Sequence, residues 1–278
     1  MRHRHISDIV ISVTLMIMLF IVPAVAQNVG EVPDIRSPGH GSDIPSKVSR
    51  IDIIYDIPEG DPYGYFVLFD TNPGHTFDGL NPDGEYVTRR SFTSPDFAEF
   101  QPDDVAYYFH IAAADGKGEI GPTVTAGPYR IDVVPPSDVG VTAPEITSSR
   151  TVTLTLTATG ASEVCVSNVS HGEGGRWENL TGQTEWELSP GGGEKIVHVR
   201  FSDLAGNTAD TSAVITFIAG DADGDLSLSL RDAVLVLQTM AGMETTDINP
   251  DADVNNDGKI GTEEAVYILR RISDRADE

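Results

Sequence analysis

One acidic pattern, written twice near the C-terminus, constrains this chain more than any other feature. Residues 221–232 read DADGDLSLSLRD and residues 253–264 read DVNNDGKIGTEE, a repeat distance of 32 residues. Short oxygen-bearing side chains stand at positions 1, 3 and 5 of each copy, and a carboxylate at position 12. They are Asp221, Asp223, Asp225 and Asp232, then Asp253, Asn255, Asp257 and Glu264. This is the ligand spacing of a twelve-residue calcium loop, in which position 7 contributes a backbone carbonyl, here that of Ser227 and of Lys259. The physical cause is the ion. Calcium is a hard cation that takes six to eight oxygens, and a tight loop lets alternate short side chains converge on it.

The copies are unequal. Position 6 needs a left-handed backbone, where glycine fits and other residues are strained by about 1–2 kcal/mol. Loop two has Gly258 there and loop one has Leu226. Two calcium sites are therefore expected, the second stronger. Leu228 and Ile260 hold position 8 in both copies, where facing loops can pair through a short β-contact.

A helix is expected after each loop, in LRDAVLVLQTMA (230–241) and TEEAVYILRRI (262–272), packing through Val234, Leu237, Ile268 and Leu269. No helix is expected before loop one, because AVITFIAG reads as a strand and a glycine. The duplicated loop, the single helix after each copy and the opening Gly220-Asp221 resemble the type I dockerin family over about residues 220–273. The resemblance implies calcium-dependent docking to a cohesin-type module. It places partner contacts at Leu230, Arg231, Leu237 and Gln238 in copy one, and at Thr262, Glu263, Leu269 and Arg270 in copy two. Arg231 faces Glu263 in the alignment and Gln238 faces Arg270, so one docking orientation is expected.

The rest of the 278 residues divides further. Residues 1–26 read as a signal peptide: Arg2 and Arg4, an apolar run from Ile9 to Val22, and Ala24-Val25-Ala26 as the cleavage site. The run, bounded by Asp8 and Pro23, is short for a membrane anchor, and no span is expected after cleavage. Residues 27–46 are Pro-, Gly- and Ser-rich and read as a linker into the first module. A net charge of −25 excludes ordinary nucleic-acid binding. Cys165 is the only cysteine, so an intrachain disulfide is excluded. Its apolar strand setting marks it as a small core residue.

From Ile51 the text is β-like. In AYYFHIAAAD, alternation puts Tyr107, Phe109, Ile111 and Ala113 on one face and Tyr108, His110 and Ala112 on the other, which reads as outward. The motifs SPGH (37–40), GYFVLFDTNP (64–73), YYFHIAAAD (107–115) and GPYRIDVVPP (127–136) resemble a fibronectin type III-like module, with Tyr55 where that family usually has Trp. Pro135-Pro136 ends it. Residues 137–219 resemble a bacterial Ig-like repeat ending in a D-x-A-G-N turn at Asp203–Asn207, with Trp177 and Trp186 as candidate core plugs. Asp115 and His110 recur as Asp203 and His198, both 88 residues on, which points to two copies of one sandwich type with both histidines outward. Asn168 and Asn179 open glycosylation sequons.

The expected architecture is mainly β: a signal peptide (1–26), a linker (27–46), a fibronectin type III-like sandwich (47–136), an Ig-like sandwich (137–219) and a small all-α calcium domain (220–278). No H-E-x-x-H, G-x-S-x-G or phosphate loop appears, and modules this small are usually binding or spacer units. The expectation is a secreted or cell-surface, non-catalytic protein docking to a cohesin-type partner. The alternatives are a component of a polysaccharide-degrading complex with carbohydrate-binding β modules, an adhesin, and a bare calcium clamp.

Overall fold

The computed structural model describes residues 29–78, 82–97, 105–245 and 248–276. The expected signal peptide lies outside the described residues. The protein is mainly β, with its two α-helices near the C-terminus.

The first seven strands are β1 (Pro45–Ser46), β2 (Asp52–Ile54), β3 (Gly64–Asp70), β4 (Glu85–Val87), β5 (Ser91–Thr93), β6 (Ala106–Ala114) and β7 (Val124–Ile131). They form a sheet of order β1-β7-β6-β3-β4 and a two-stranded sheet β2-β5. Ile51 and Ile53 from one side meet Val67, Phe109 and Ile111 from the other. Tyr55 is fully buried among them, and its hydroxyl donates to the Arg89 carbonyl at 2.7 Å.

Eight strands follow: β8 (Ser137–Thr142), β9 (Ile146–Thr147), β10 (Thr151–Thr159), β11 (Glu163–Ser167), β12 (Trp177–Asn179), β13 (Gln183–Glu187), β14 (Gly193–Ser202) and β15 (Thr208–Phe217). Their sheets are β13-β10-β8 and β12-β11-β14-β15-β9. Strand β10 shows why they close on each other. Its text TVTLTLTAT alternates, so Val152, Leu154 and Leu156 enter the core and the threonines stay outside.

Both sandwiches repeat one arrangement: a short strand runs parallel to the last strand, which pairs antiparallel with the strand before it. The turn between those last two strands is also shared. Asp115 N–H donates to the Glu119 carbonyl and Asp203 N–H to the Asn207 carbonyl, while each aspartate's carboxylate accepts the N–H of that same turn-closing residue. The second turn leans on the first sandwich, where Asn207 Nδ2 donates to the Asp132 carbonyl at 2.8 Å.

Four expectations for the β modules need correction. Residues 29–46 are not a free linker: Val29 and Val32 join the first core, and Arg36 bridges to Ile54. Apolar residues among the prolines and glycines supply the burial, so those residues act as turns in a packed segment. His110 is not outward. A loop carrying Asn72, His75 and Phe77 covers that face, leaving the ring fully buried between Thr125 Oγ1 (2.8 Å) and Asp70 Oδ1 (3.1 Å). His198 is half-buried under His171, with ring centroids 4.6 Å apart. Trp177 lies on edge strand β12 and is exposed, whereas Trp186 packs on the second core and donates to Asn168 Oδ1 at 2.8 Å.

Helices α1 (Leu230–Met240) and α2 (Thr262–Ala276) pack on each other in a third core. The contact runs through Ala233, Val236, Ala265 and Ile268, while Val234, Leu237 and Leu269 are exposed. The position-12 carboxylates explain this register. Asp232 and Glu264 must turn inward toward their loops, and the residues one and four places later then face inward with them.

Candidate metal centre

Each acidic loop is built around its first aspartate. Asp221 Oδ1 accepts the N–H groups of Gly224 (2.9 Å) and Asp225 (3.2 Å), and Oδ2 that of Leu226 (2.9 Å). Asp253 repeats this on Asn256 (2.7 Å), Asp257 (3.3 Å) and Gly258 (2.7 Å). The match continues along the loop. Position 3 accepts from the N–H of position 5, at Asp223 and at Asn255. Position 5 accepts from the N–H of position 7, at Asp225 with Ser227 and at Asp257 with Lys259. Position 12 accepts from the N–H of position 9, at Asp232 with Ser229 and at Glu264 with Gly261. These bonds wind each backbone around its own first aspartate.

The winding requires two left-handed residues per loop. They are Gly224 (φ 72°) and Leu226 (φ 66°) in loop one, and Asn256 (φ 61°) and Gly258 (φ 79°) in loop two. The contrast drawn from position 6 alone is thus incomplete, because each loop spends one glycine and one other residue. Loop two still carries less strain, since asparagine tolerates this region and leucine does not.

The acidic atoms converge. Ligand atoms of Asp221, Asp223 and Asp225 lie within 4.8 Å of one another. Asp221 and Asp232 are fully buried and Glu264 is 1 % exposed. Burial holds the Asp221 carboxyl above the usual carboxylate range, and the neighbouring Asp232 charge adds to it. The Leu226 N–H, the Ser148 hydroxyl and the Gly224 N–H pull the other way. Two carboxylate oxygens, Asp223 Oδ2 and Glu264 Oε1, are buried without a hydrogen bond. Glu264 Oε1 is orphaned, at a cost of about 1–3 kcal/mol, more when charged, whereas Asp223 Oδ2 has the Arg231 guanidinium 3.0 Å away. A cation in the loops would satisfy both, so the donor set fits calcium.

The two position-12 residues differ. Asp232 is already engaged at both oxygens, by the N–H groups of Ala222 (2.8 Å), Asp223 (3.2 Å) and Ser229 (2.8 Å), the last as a capping box on α1. Glu264 is longer and keeps Oε1 free. Leu228 and Ile260 share the helical core, and no β-bridge joins them among the described residues.

Of the residues expected at a partner surface, Leu230, Arg231, Leu237, Thr262, Glu263, Leu269 and Arg270 are exposed and Gln238 is half-buried. Leu230, Val234 and Leu237 form an apolar stripe on α1, with Leu230 62 % exposed. Thr262, Glu263 and Arg270 line a shallow groove of about 510 Å³ along α2. Arg231 is not independent of the loop: its Nε lies 3.0 Å from Asp223 Oδ2.

Two other candidate groups, Cys165 and Asn168, are wholly or partly enclosed. Burial pushes the Cys165 thiol up, against a weaker opposing pull from Arg200, which disfavours the thiolate. The sequon residue Asn168 has its amide committed to Trp186 and to the Glu187 carbonyl, while Asn179 is exposed. No helix among the described residues is long and apolar enough to cross a membrane.

No family model matches the chain, and comparison with curated proteins returns no match. Among solved structures, the chain is similar to the crystal structure of chicken CNTN1 FN1-FN3 domains at 18 % identity and a TM-score of 0.34. That similarity covers 67 % of this chain and 64 % of the other, so the chain spans less than two thirds of that neighbour.

Proposed function

We propose that this is a secreted, non-catalytic modular protein that binds two calcium ions in its duplicated loops and docks through the helices onto a cohesin-type partner. The observation that supports this best is the hydrogen-bond pattern common to both loops, together with the carboxylates of Asp221, Asp223 and Asp225 drawn within 4.8 Å of one another and Glu264 Oε1 buried without a hydrogen bond. When bound, calcium supplies the positive charge that offsets this crowding. Asp221, Asp223, Asp225, Asp232 and the Ser227 carbonyl would hold one ion. Asp253, Asn255, Asp257, Glu264 and the Lys259 carbonyl would hold the other.

The resemblance to type I dockerins then assigns the docking face to the exposed positions on α1 and α2. The two helices present different chemistry there, an apolar stripe on one and Thr262, Glu263 and Arg270 on the other, which supports a single orientation. The sandwiches, fibronectin type III-like and Ig-like in this reading, serve as spacer or binding units. Calorimetry on the full chain should resolve two calcium sites, and a cohesin-type module from the same source should be retained in calcium and released by chelator. Absence of calcium binding would overturn the whole reading. Calcium binding without retention of any such module would leave a structural clamp.

One feature favours a second reading. Tyr63 and Tyr86 are exposed, and the Tyr86 hydroxyl lies over Gly64, the residue next to Tyr63, so the first sandwich presents two aromatic side chains in one region. Stacking on sugar rings would make that sandwich a carbohydrate-binding unit of a polysaccharide-degrading complex. Retardation on polysaccharide gels that Tyr63→Ala abolishes is the expected sign of it.

A further inference from the structure

The turn between β9 and β10 of the second sandwich, Ser148-Ser149-Arg150, sits between the entrances to the two acidic loops. Its three residues each make a different contact. Ser148 reaches Asp221, the first position of loop one, through the Asn249 side chain. The Ser148 carbonyl accepts from Asn249 Nδ2 at 3.1 Å, and the same amide donates to the Asp221 carbonyl at 2.9 Å. Asp251, two residues ahead of loop two, accepts from Ser149 Oγ (2.8 Å) and from the Arg150 N–H (3.2 Å). The Arg150 guanidinium donates from Nη1 to Asn256 Oδ1, at position 4 of loop two, and from Nη2 to Glu187 Oε1 on β13, both at 2.7 Å.

Apolar contacts seal the same joint. Val254, at position 2 of loop two, and Tyr267 of α2 pack against the core of the second sandwich, and Tyr267 also belongs to the helical core. Gly192 makes room for this ring, since a Cβ there would lie 2.7 Å from the Tyr267 hydroxyl.

We infer that the 148–150 turn is a working part of the calcium centre, a positioning element that couples the two loops to each other and to the sandwich. One turn, anchored on β13 through Glu187, holds position 1 of one loop through Asn249 and position 4 of the other directly. A loop held in its binding shape loses less conformational freedom when the ion enters. By linkage, calcium must strengthen docking of the helices on the sandwich by the same factor that docking strengthens calcium binding. The turn therefore gives the two sites positive cooperativity although they share no ligand. It also fixes the partner-facing helices relative to the sandwich when calcium is bound. The inference rests on the calcium reading of the loops and assigns their regulation to residues outside both of them.

The test uses the full chain carrying Asp251→Asn, which keeps shape but removes the charge that grips Ser149 and Arg150, and separately Arg150→Lys and Arg150→Ala. Calcium affinity is read by calorimetry. Motion of the helices against the sandwich is read by NMR relaxation with and without calcium. Wild type is expected to bind calcium cooperatively and to lose inter-unit order on chelation. Asp251→Asn and Arg150→Ala should weaken both sites by about tenfold, within the usual range of coupling between sites, and Arg150→Lys by less. A purely structural turn would lower the melting temperature and leave both affinities unchanged. Affinities within twofold of wild type in all three variants overturn the inference while leaving the calcium reading intact. A wild-type chain that binds no calcium overturns that reading and this inference with it.

Discussion

Arg231 offers the sharpest single perturbation. It stands at position 11 of loop one, is 75 % exposed at its side chain, and points Nε at Asp223 Oδ2 from 3.0 Å, against a carboxylate only 8 % exposed. That oxygen is a calcium ligand in the proposed function, so arginine and the ion compete for it. The contact lacks hydrogen-bond geometry and its cation is largely solvated, which puts it among exposed ion pairs worth about 0.2–1 kcal/mol. Arg231→Ala should therefore tighten loop one by about 1.4- to 5-fold, using 1.4 kcal/mol per decade. The gain should shrink from low salt to 0.5 M salt, because the competition is electrostatic and solvent-exposed. The second loop is the internal control, since Glu263 at its position 11 cannot compete. Calorimetry at two ionic strengths separates the outcomes. An unchanged or weakened first site, or a gain that does not respond to salt, would refute the competition argument. The same variant should weaken partner docking by more than about 1 kcal/mol if Arg231 is also an interface anchor, so calcium and partner affinities should move in opposite directions.

Three more outcomes follow from the same geometry. Glu264→Gln keeps the acceptor from Gly261 N–H but removes the charge carried by the free oxygen. Loop two should lose at least tenfold in calcium affinity by calorimetry, and an unchanged second site would argue against Glu264 as a ligand. Leu226→Gly relieves a left-handed leucine of about 1–2 kcal/mol and gives back part of it as unfolded-chain freedom, for a net gain of about 0.5–1 kcal/mol in the calcium-loaded chain. Loss of stability in thermal melts would contradict that. Burial holds His110 below its ordinary value of 6.5, the bond to Asp70 opposes this in part, and His75 on the covering loop lowers it further. Its contribution is thus fully present above pH 6.5 and is lost as the pH falls through the lowered folded value. Urea denaturation between pH 8 and 5 should show that fall for the first sandwich, and His110→Asn should flatten it.

Much of the secondary structure follows from short-range pattern. The threonine alternation of β10 dictates which face is buried, because successive side chains of a strand point to opposite sides. The acidic spacing sets the backbone of both loops, since the short side chains at positions 1, 3 and 5 accept the N–H groups that lie two to five residues ahead. The strained position of Leu226 is equally local. The helix register was legible as well, had the inward-turning carboxylates been used as the reference. Hydrophobicity alone favoured Val234 and Leu237, which are exposed, over Ala233, which is buried.

Tertiary structure decided the rest. Nothing around His110 distinguishes a solvated face from one covered by a loop, and the covering His75 lies 35 residues earlier in the numbering. Trp177 and Trp186 are the same residue type, yet an edge strand leaves one in water while the other finds a core and an amide. Residues 29–46 carry the composition of a linker and still supply two core valines. The joint at Ser148-Ser149-Arg150 is the clearest case. Its contacts to Asp251 and Asn256 span 101 to 106 residues. Sequence periodicity reports the burial that a residue shares with its near neighbours along the chain. It carries no record of which distant surface will supply that burial, so the acidic spacing belongs to the sequence and the turn that braces it belongs to the fold.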